Sequence, residues 1–236
     1  MAVQTEPVRR TPLTRDRVLR AAVAFADGIG IEALSMRKLA KELGVVPMAL
    51  YKHVANKEQL LDGMVDVVMS EIAPPAPGSD WKGAVRHRIL SARRALLGHP
   101  WAAQVIQTRS SPTPVVLAYM DSVIGMFRTG GFSVDLTHHV MHALGGRMMG
   151  LTQELFDAPP SPGPQAQPVT PTEGAGDYPY VRELAGAVVH DEASVVGQGC
   201  DDQFEFEFAL DLLLDGFERL RQQGWSSAGR SGPARP

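Results

Sequence analysis

An all-α fold follows from three features of this 236-residue sequence. Apolar residues recur at helical spacing in one segment after another, with no alternating strand pattern. Residues 35–51 read as two short helices joined by a tight turn. A break rich in Pro and Gly around Pro74, Pro75, Pro77 and Gly78 then separates a three-helix N-terminal domain from a larger helical one.

Residues 1–12 carry Arg9 and Arg10 and are expected to be a flexible arm, free either to touch phosphate or a minor groove or to stay disordered. Thr14 is placed to cap a first helix on which Val18, Ala22, Phe25 and Ile29 share a face. Ser35 caps a second, where Met36, Leu39, Ala40 and Leu43 line one side, and Gly44 ends it. Val45 and Val46 lead into Pro47, whose fixed φ and missing N–H suit the first position of a third helix, expected to run through Val54. A turn of only three or four residues forces the two helices to cross steeply. This is the geometry of DNA-binding helix-turn-helix units, whose second helix enters the major groove. Asn56 with Gln59 forms a capping box ahead of Leu60, Leu61, Met64 and Val67, so a fourth helix follows at once.

Beyond the break, helices are expected over 81–97, 115–128 and 133–156, the last with Val140, Leu144, Met148 and Leu151 along a face. The run from 157 to about 178 holds too much Pro, Gly and small polar residue to bury a core and is expected to be a disordered loop. A short helix is expected near Tyr180. The last helix, about 201–223, carries Phe204, Phe208, Leu212, Leu213, Phe217 and Leu220, a stripe broader than a thin bundle would hide, and should dimerise. The resulting organisation is an arm (1–12), a helix-turn-helix domain (13–60), a ligand-binding and dimerisation domain (61–223) and a disordered tail (224–236).

Net charge is −3 overall, yet residues 1–57 hold ten Lys/Arg against five Asp/Glu and the remainder thirteen against twenty-one. A basic head with an acidic body suits a module that docks on phosphate without the rest clinging to DNA. The single cysteine, Cys200, precludes an intramolecular disulfide framework and fits a reducing cytoplasm. No segment approaches the roughly 18 uninterrupted apolar residues of a membrane span, and no GxSxG, P-loop, HExxH or CxxC pattern offers catalysis, so neither an enzyme nor a cofactor is expected.

The segment from Leu13 to Met64, with GIEALSMRKLAKELGV, ALYKHV and NKEQLL in order, resembles the N-terminal domain of the TetR family of one-component repressors. Residues 74–156 are more loosely similar to the effector domain of the tetracycline repressor. The resemblance implies a homodimer on a roughly palindromic double-stranded operator, released by a small molecule. It implies an interface built from residues 134–156 and 201–223. It places DNA contacts at Arg37, Pro47, Met48, Ala49, Tyr51, Lys52, His53 and Lys57. Arg37, Tyr51, His53 and Lys57 are long enough donors to reach phosphate, which fixes register. Pro47, Met48 and Ala49 offer apolar surface suited to thymine methyls, while Lys52 reaches either guanine or phosphate. Leu50 and Val54 should face the core.

The tetracycline repressor's metal and drug positions fall near Ala73, Arg88 and Ile106, none of the expected type, and Glu154 lacks the partner histidine, so magnesium–tetracycline is not the expected effector. His138 and His142 stand four apart but lack further ligands at metal spacing, so no metal site is expected. Candidate ligand contacts are Arg88, Ile106, Met120, His142, Arg147, Met148 and Leu151, a soft, methionine-rich lining around few polar groups. The alternative is a DNA-binding dimer without a small-molecule ligand, its C-terminal half serving dimerisation or a protein partner.

Overall fold

Thr14 starts the fold as expected: its hydroxyl accepts from the Arg17 N–H at 3.2 Å and opens α1 (Arg15–Ile29). The computed structural model describes residues 12–150, 178–180 and 202–230, and the described residues are helical, turn or irregular, without strand. The expected contacts at Arg147 and Met148 fall where side chains are not described, and Leu151, Glu154 and the loop at 157–178 lie outside the described residues. So does most of the short helix near Tyr180.

The buried face of α1 is Val18, Leu19, Ala22, Val23 and Ala26. It is rotated from the expected one: Phe25 is half-buried and Ile29 is exposed at the helix end. Ser35 caps α2 (Met36–Glu42) by accepting from Lys38 N–H. Beyond its C-cap Leu43, Gly44 takes φ +66° and donates to Lys41 O, while Val45 donates to Ala40 O. That paired closure requires a left-handed residue, which is why glycine stands there.

The reading helix is shorter than expected. α3 spans Pro47–Leu50, and the N–H groups of His53 and Val54 both donate to Leu50 O, at 2.8 and 3.0 Å, tightening the chain into a turn. The reason is close at hand: Asn56, extended at φ −159°, must already cap α4 (Lys57–Ser70). Its Oδ1 accepts from Gln59 N–H at 2.8 Å, and Gln59 returns a bond to the N–H of Ala55.

α4 packs both on α1 and on the helices that follow, α5 (Trp81–Gly98), α6 (Trp101–Thr108) and α7 (Pro114–Thr129). Gly63 permits the approach to α1, since a Cβ there would sit 2.6 Å from a Leu19 methyl. Asp80 and Thr113 cap α5 and α7. α6 has no counterpart among the expected helices. α8 (Val134–Gly150) begins with Ser133 Oγ accepting from Leu136 N–H.

The chain divides into two compact units, one holding residues up to Met141 with those from Ser226 onward, the other His142–Trp225. In the first, Trp81, Phe127 and Phe132 form an aromatic core with centroids 4.7–5.7 Å apart. Part of the segment expected to be a disordered tail is ordered. Ser227–Arg230 form a 3₁₀ turn, and Ser227 donates N–H and hydroxyl to Asp135, both at 2.7 Å, which holds that carboxyl below its usual range.

In the second unit, α9 (Asp202–Gln222) presents two apolar faces rather than one stripe. Phe206, Leu210, Leu214 and Phe217 are buried, while Phe204, Phe208 and Leu212, two positions out of phase, are exposed. A step of two residues turns a helix by about 200°, so these belong to opposite sides.

Candidate DNA interface and its coupling to the effector helices

The turn at Gly44 and the N1 proline fix how α3 is presented, and Leu50 and Val54, both fully buried, anchor it. What remains outward is a small patch. Pro47 and Lys52 are exposed, Met48 is 71% and Tyr51 45% exposed, and Ala49 and His53 are half-buried at its edge. Arg37, in the first turn of α2, and Lys57, in the first turn of α4, are exposed on the flanking elements. Val46 was not anticipated: it is 67% exposed immediately before Pro47 and extends the apolar part of the patch. The patch thus combines a narrow apolar centre with cationic and hydroxyl donors, the chemistry of base methyls ringed by phosphates.

This head is tied to the effector helices through α4, by polar bonds spaced along it. Arg109, after α6, pairs with Glu58 and brings Nε to 2.8 Å from Asp62 on the first turns of α4. Thr113 donates its hydroxyl to Asp66 at 2.6 Å. Where α4 ends, Ser91 of α5 accepts from Ala73 N–H at 2.8 Å, and Arg88 donates to the carbonyls of Ile72 and Ala73. His99, between α5 and α6, completes the grip: Nδ1 lies 2.9 Å from Asp27 of α1 and Nε2 3.2 Å from Glu71. Trp101 Nε1 donates to the same Asp27 oxygen at 2.7 Å. None of Asp27, His99, Trp101, Arg109 or Thr113 stood out in the sequence.

Burial draws the His99 imidazole down, but hydrogen bonds and charge from Asp27 and Glu71 outweigh it, so its pKa stands above the ordinary 6.5. The bridge therefore stabilises fully below the unfolded value and is lost as pH rises through the raised folded one. Wild type should exceed His99→Gln in stability by about 0.5–1 kcal/mol at roughly pH 6, a screened-pair magnitude, because Glu71 is half in solvent. The gap should narrow as pH rises above 6.5 and through the raised folded value. Thermal melts of both proteins across that range check this; a gap that widens with pH would refute it.

Of the expected ligand contacts, Arg88 and Ile106 are half-buried, whereas Met120 is 41% exposed and His142 is exposed. Arg88 also lies over the ring of Tyr119, its Cζ 4.8 Å from the centroid. His138 and His139 are exposed and in edge contact with each other, and His139 lies 3.7 Å from Asp135. Among the described residues no three His, Cys, Asp or Glu side chains converge as metal ligands would.

Comparison with known proteins matches residues 18–64 to the family described as bacterial regulatory proteins, tetR family, and residues 74–221 to the tetracyclin repressor-like C-terminal domain. An HTH-type transcriptional regulator of Saccharopolyspora erythraea is 38% identical over 121 residues, about half (51%) of each chain. The HTH-type transcriptional repressor DrrR1 of Streptomyces coeruleorubidus is 31% identical over 89% of this chain and 79% of its own. The structure of Streptomyces coelicolor ActR in complex with actinorhodin superposes with a TM-score of 0.64 at 26% identity, covering 89% of this chain and 98% of that one. With both halves matched in order along one polypeptide, the chain belongs to the TetR family of ligand-responsive, DNA-binding transcriptional regulators.

Proposed function

We propose that this protein is a homodimeric repressor that holds a roughly palindromic operator and leaves it when a small molecule binds among the helices after α4. The observation that carries the reading is the set of polar ties from α5, α6 and α7 to α4 and α1. A helix gripped along its length by the effector helices, and packed directly on the reading head, is a lever whose tilt resets the spacing of two reading helices. Differential affinity of the ligand for the two tilts drives release. The exposed Phe204, Phe208 and Leu212 supply an apolar face for the second copy, in keeping with the dimers of the family.

In this reading Pro47, Met48, Ala49 and Lys52 face bases, and Arg37, Tyr51, His53 and Lys57 hold phosphates. Actinorhodin bound to ActR supports a small-molecule effector over a C-terminal half that only dimerises. Ala73 and Ile106 offer no metal-ligating side chain, which sets the effector apart from magnesium–tetracycline. The protein acts as a regulator and not as an enzyme.

The test is binding to DNA upstream of the protein's own and adjacent genes, titrated across salt against random DNA. A protected palindrome is expected. Arg37→Ala should weaken all sequences alike and lower the salt slope by about one, the share of one phosphate contact. Equal affinity for every sequence would overturn the operator reading.

A further inference from the structure

Three buried polar atoms in the effector half lack a hydrogen-bond partner among the described residues. Arg109 Nε has the Asp62 carboxylate 2.8 Å away to meet its charge, whereas the other two, Arg88 Nε and the Tyr119 hydroxyl, sit on side chains that touch each other. Arg88 of α5 uses Nη1 on the carbonyls of Ile72 and Ala73, and its guanidinium lies over the Tyr119 ring of α7. Its Nε–H, however, is buried and unbonded, and so is the Tyr119 hydroxyl. Burial pushes that hydroxyl up to about 12, the Arg88 charge opposing only in part, so it is a neutral O–H donor at physiological pH. Orphaned buried donors are rare, and each is destabilising unless something supplies an acceptor. The stacking of the two side chains is an ordinary cation–π contact and satisfies neither atom.

The geometry points to Arg88 and Tyr119 as the polar end of the effector site, receiving an anionic oxygen of an otherwise apolar, aromatic ligand. A guanidinium N–H beside a phenol O–H offers two donors and a positive charge to one oxygen group, a chemistry that a carboxylate, sulfonate or phenolate matches and a hydrocarbon does not. Because the same guanidinium holds the carbonyls at the end of α4, an occupant sits directly against the lever. This assignment rests on the effector reading above and adds the ligand's charge and the two residues that select it.

The experiment uses two fluorescent probes with the same ring system: 8-anilinonaphthalene-1-sulfonate, an anion, and N-phenyl-1-naphthylamine, its neutral counterpart. Wild type should favour the anion by about tenfold or more, the value of a hydrogen bond to a charged group. Arg88→Gln should lose about tenfold in affinity for the anion and leave the neutral probe unchanged. Because Arg88 also serves the end of α4, Tyr119→Phe is the second variant: it keeps the ring beneath the guanidinium and removes only the hydroxyl. It should lose about tenfold for the anion alone, the value of one hydrogen bond to a charged acceptor. Circular dichroism and melting of each variant confirm that it is folded. Equal losses for both probes, or no preference in wild type, would overturn the assignment while leaving an effector site in place. Failure of both probes to bind would overturn it together with the effector reading, and failure of the anion alone would overturn the assignment only.

Discussion

Leu50→Ala is expected to abolish operator binding while leaving the effector helices folded. α3 is only four residues long, far below the dozen or so at which a helix persists by itself, so its position comes from packing alone. Leu50 is its single buried residue and is fully enclosed. Truncating an enclosed leucine costs about 2–5 kcal/mol, and the other enclosed anchor, Val54, lies beyond the end of the helix. The operator Kd should therefore rise by at least about a hundredfold, which corresponds to roughly 2.7 kcal/mol. Helical content should fall only slightly, because α3 contributes only four residues. Met48→Ala is the control. Met48 is 71% exposed, so its loss should cost site discrimination and almost no stability. Anisotropy titrations on specific and random DNA separate the two outcomes. If Leu50→Ala bound within about threefold of wild type, something other than core packing would place the reading helix, against the argument from its length.

The head was legible because its determinants are local. Thr14, Ser35 and Asn56 each bond to an N–H three residues on, and Gly44 and Pro47 act on their own φ. Such signals need no knowledge of the rest of the chain. The ties of α4 were not legible for the opposite reason. His99 meets Asp27 and Glu71 across 72 and 28 positions, Trp101 meets Asp27 across 74, and Arg109 meets Glu58 across 51. A lone His, Trp or Arg in an amphipathic region carries no mark of a partner so distant. The stripe on α9 was legible as apolar but not as two faces, since composition does not say which residues of a rich helix meet the core. Arg88 was singled out by its position; that its Nε and the Tyr119 hydroxyl are left over is a property of packing, invisible until both side chains are placed.

Phe127→Ala is expected to be among the most destabilising changes outside the head. Phe127 is fully buried, 5.7 Å from the Trp81 centroid and 5.1 Å from that of Phe132, which themselves meet at 4.7 Å. Around these three rings α5, α7 and the start of α8 come together. The fit is tight at a neighbouring point as well, since a Cβ on Gly130 would fall 2.6 Å from Trp81 Cβ and Cγ, atoms too near the backbone to move aside. Removing the central ring costs about 3–5 kcal/mol, with the tilted and edge-on ring contacts included in that figure rather than added to it. For a chain of this size each kcal/mol lowers Tm by about 2–4 °C, so a fall of roughly 6–20 °C should be seen by calorimetry. Phe127→Leu, which keeps most of the volume, should lose far less. The functional consequence follows from where α7 begins. Thr113 caps that helix and bonds Asp66 of α4, so a loosened α7 loosens its hold on the lever as well. Well below its Tm the alanine variant should still bind operator, because α1 to α3 contain none of the three rings, yet effector should release it poorly. Retention of a full release response in a protein of lowered Tm would show that α7 supports the fold without transmitting the signal.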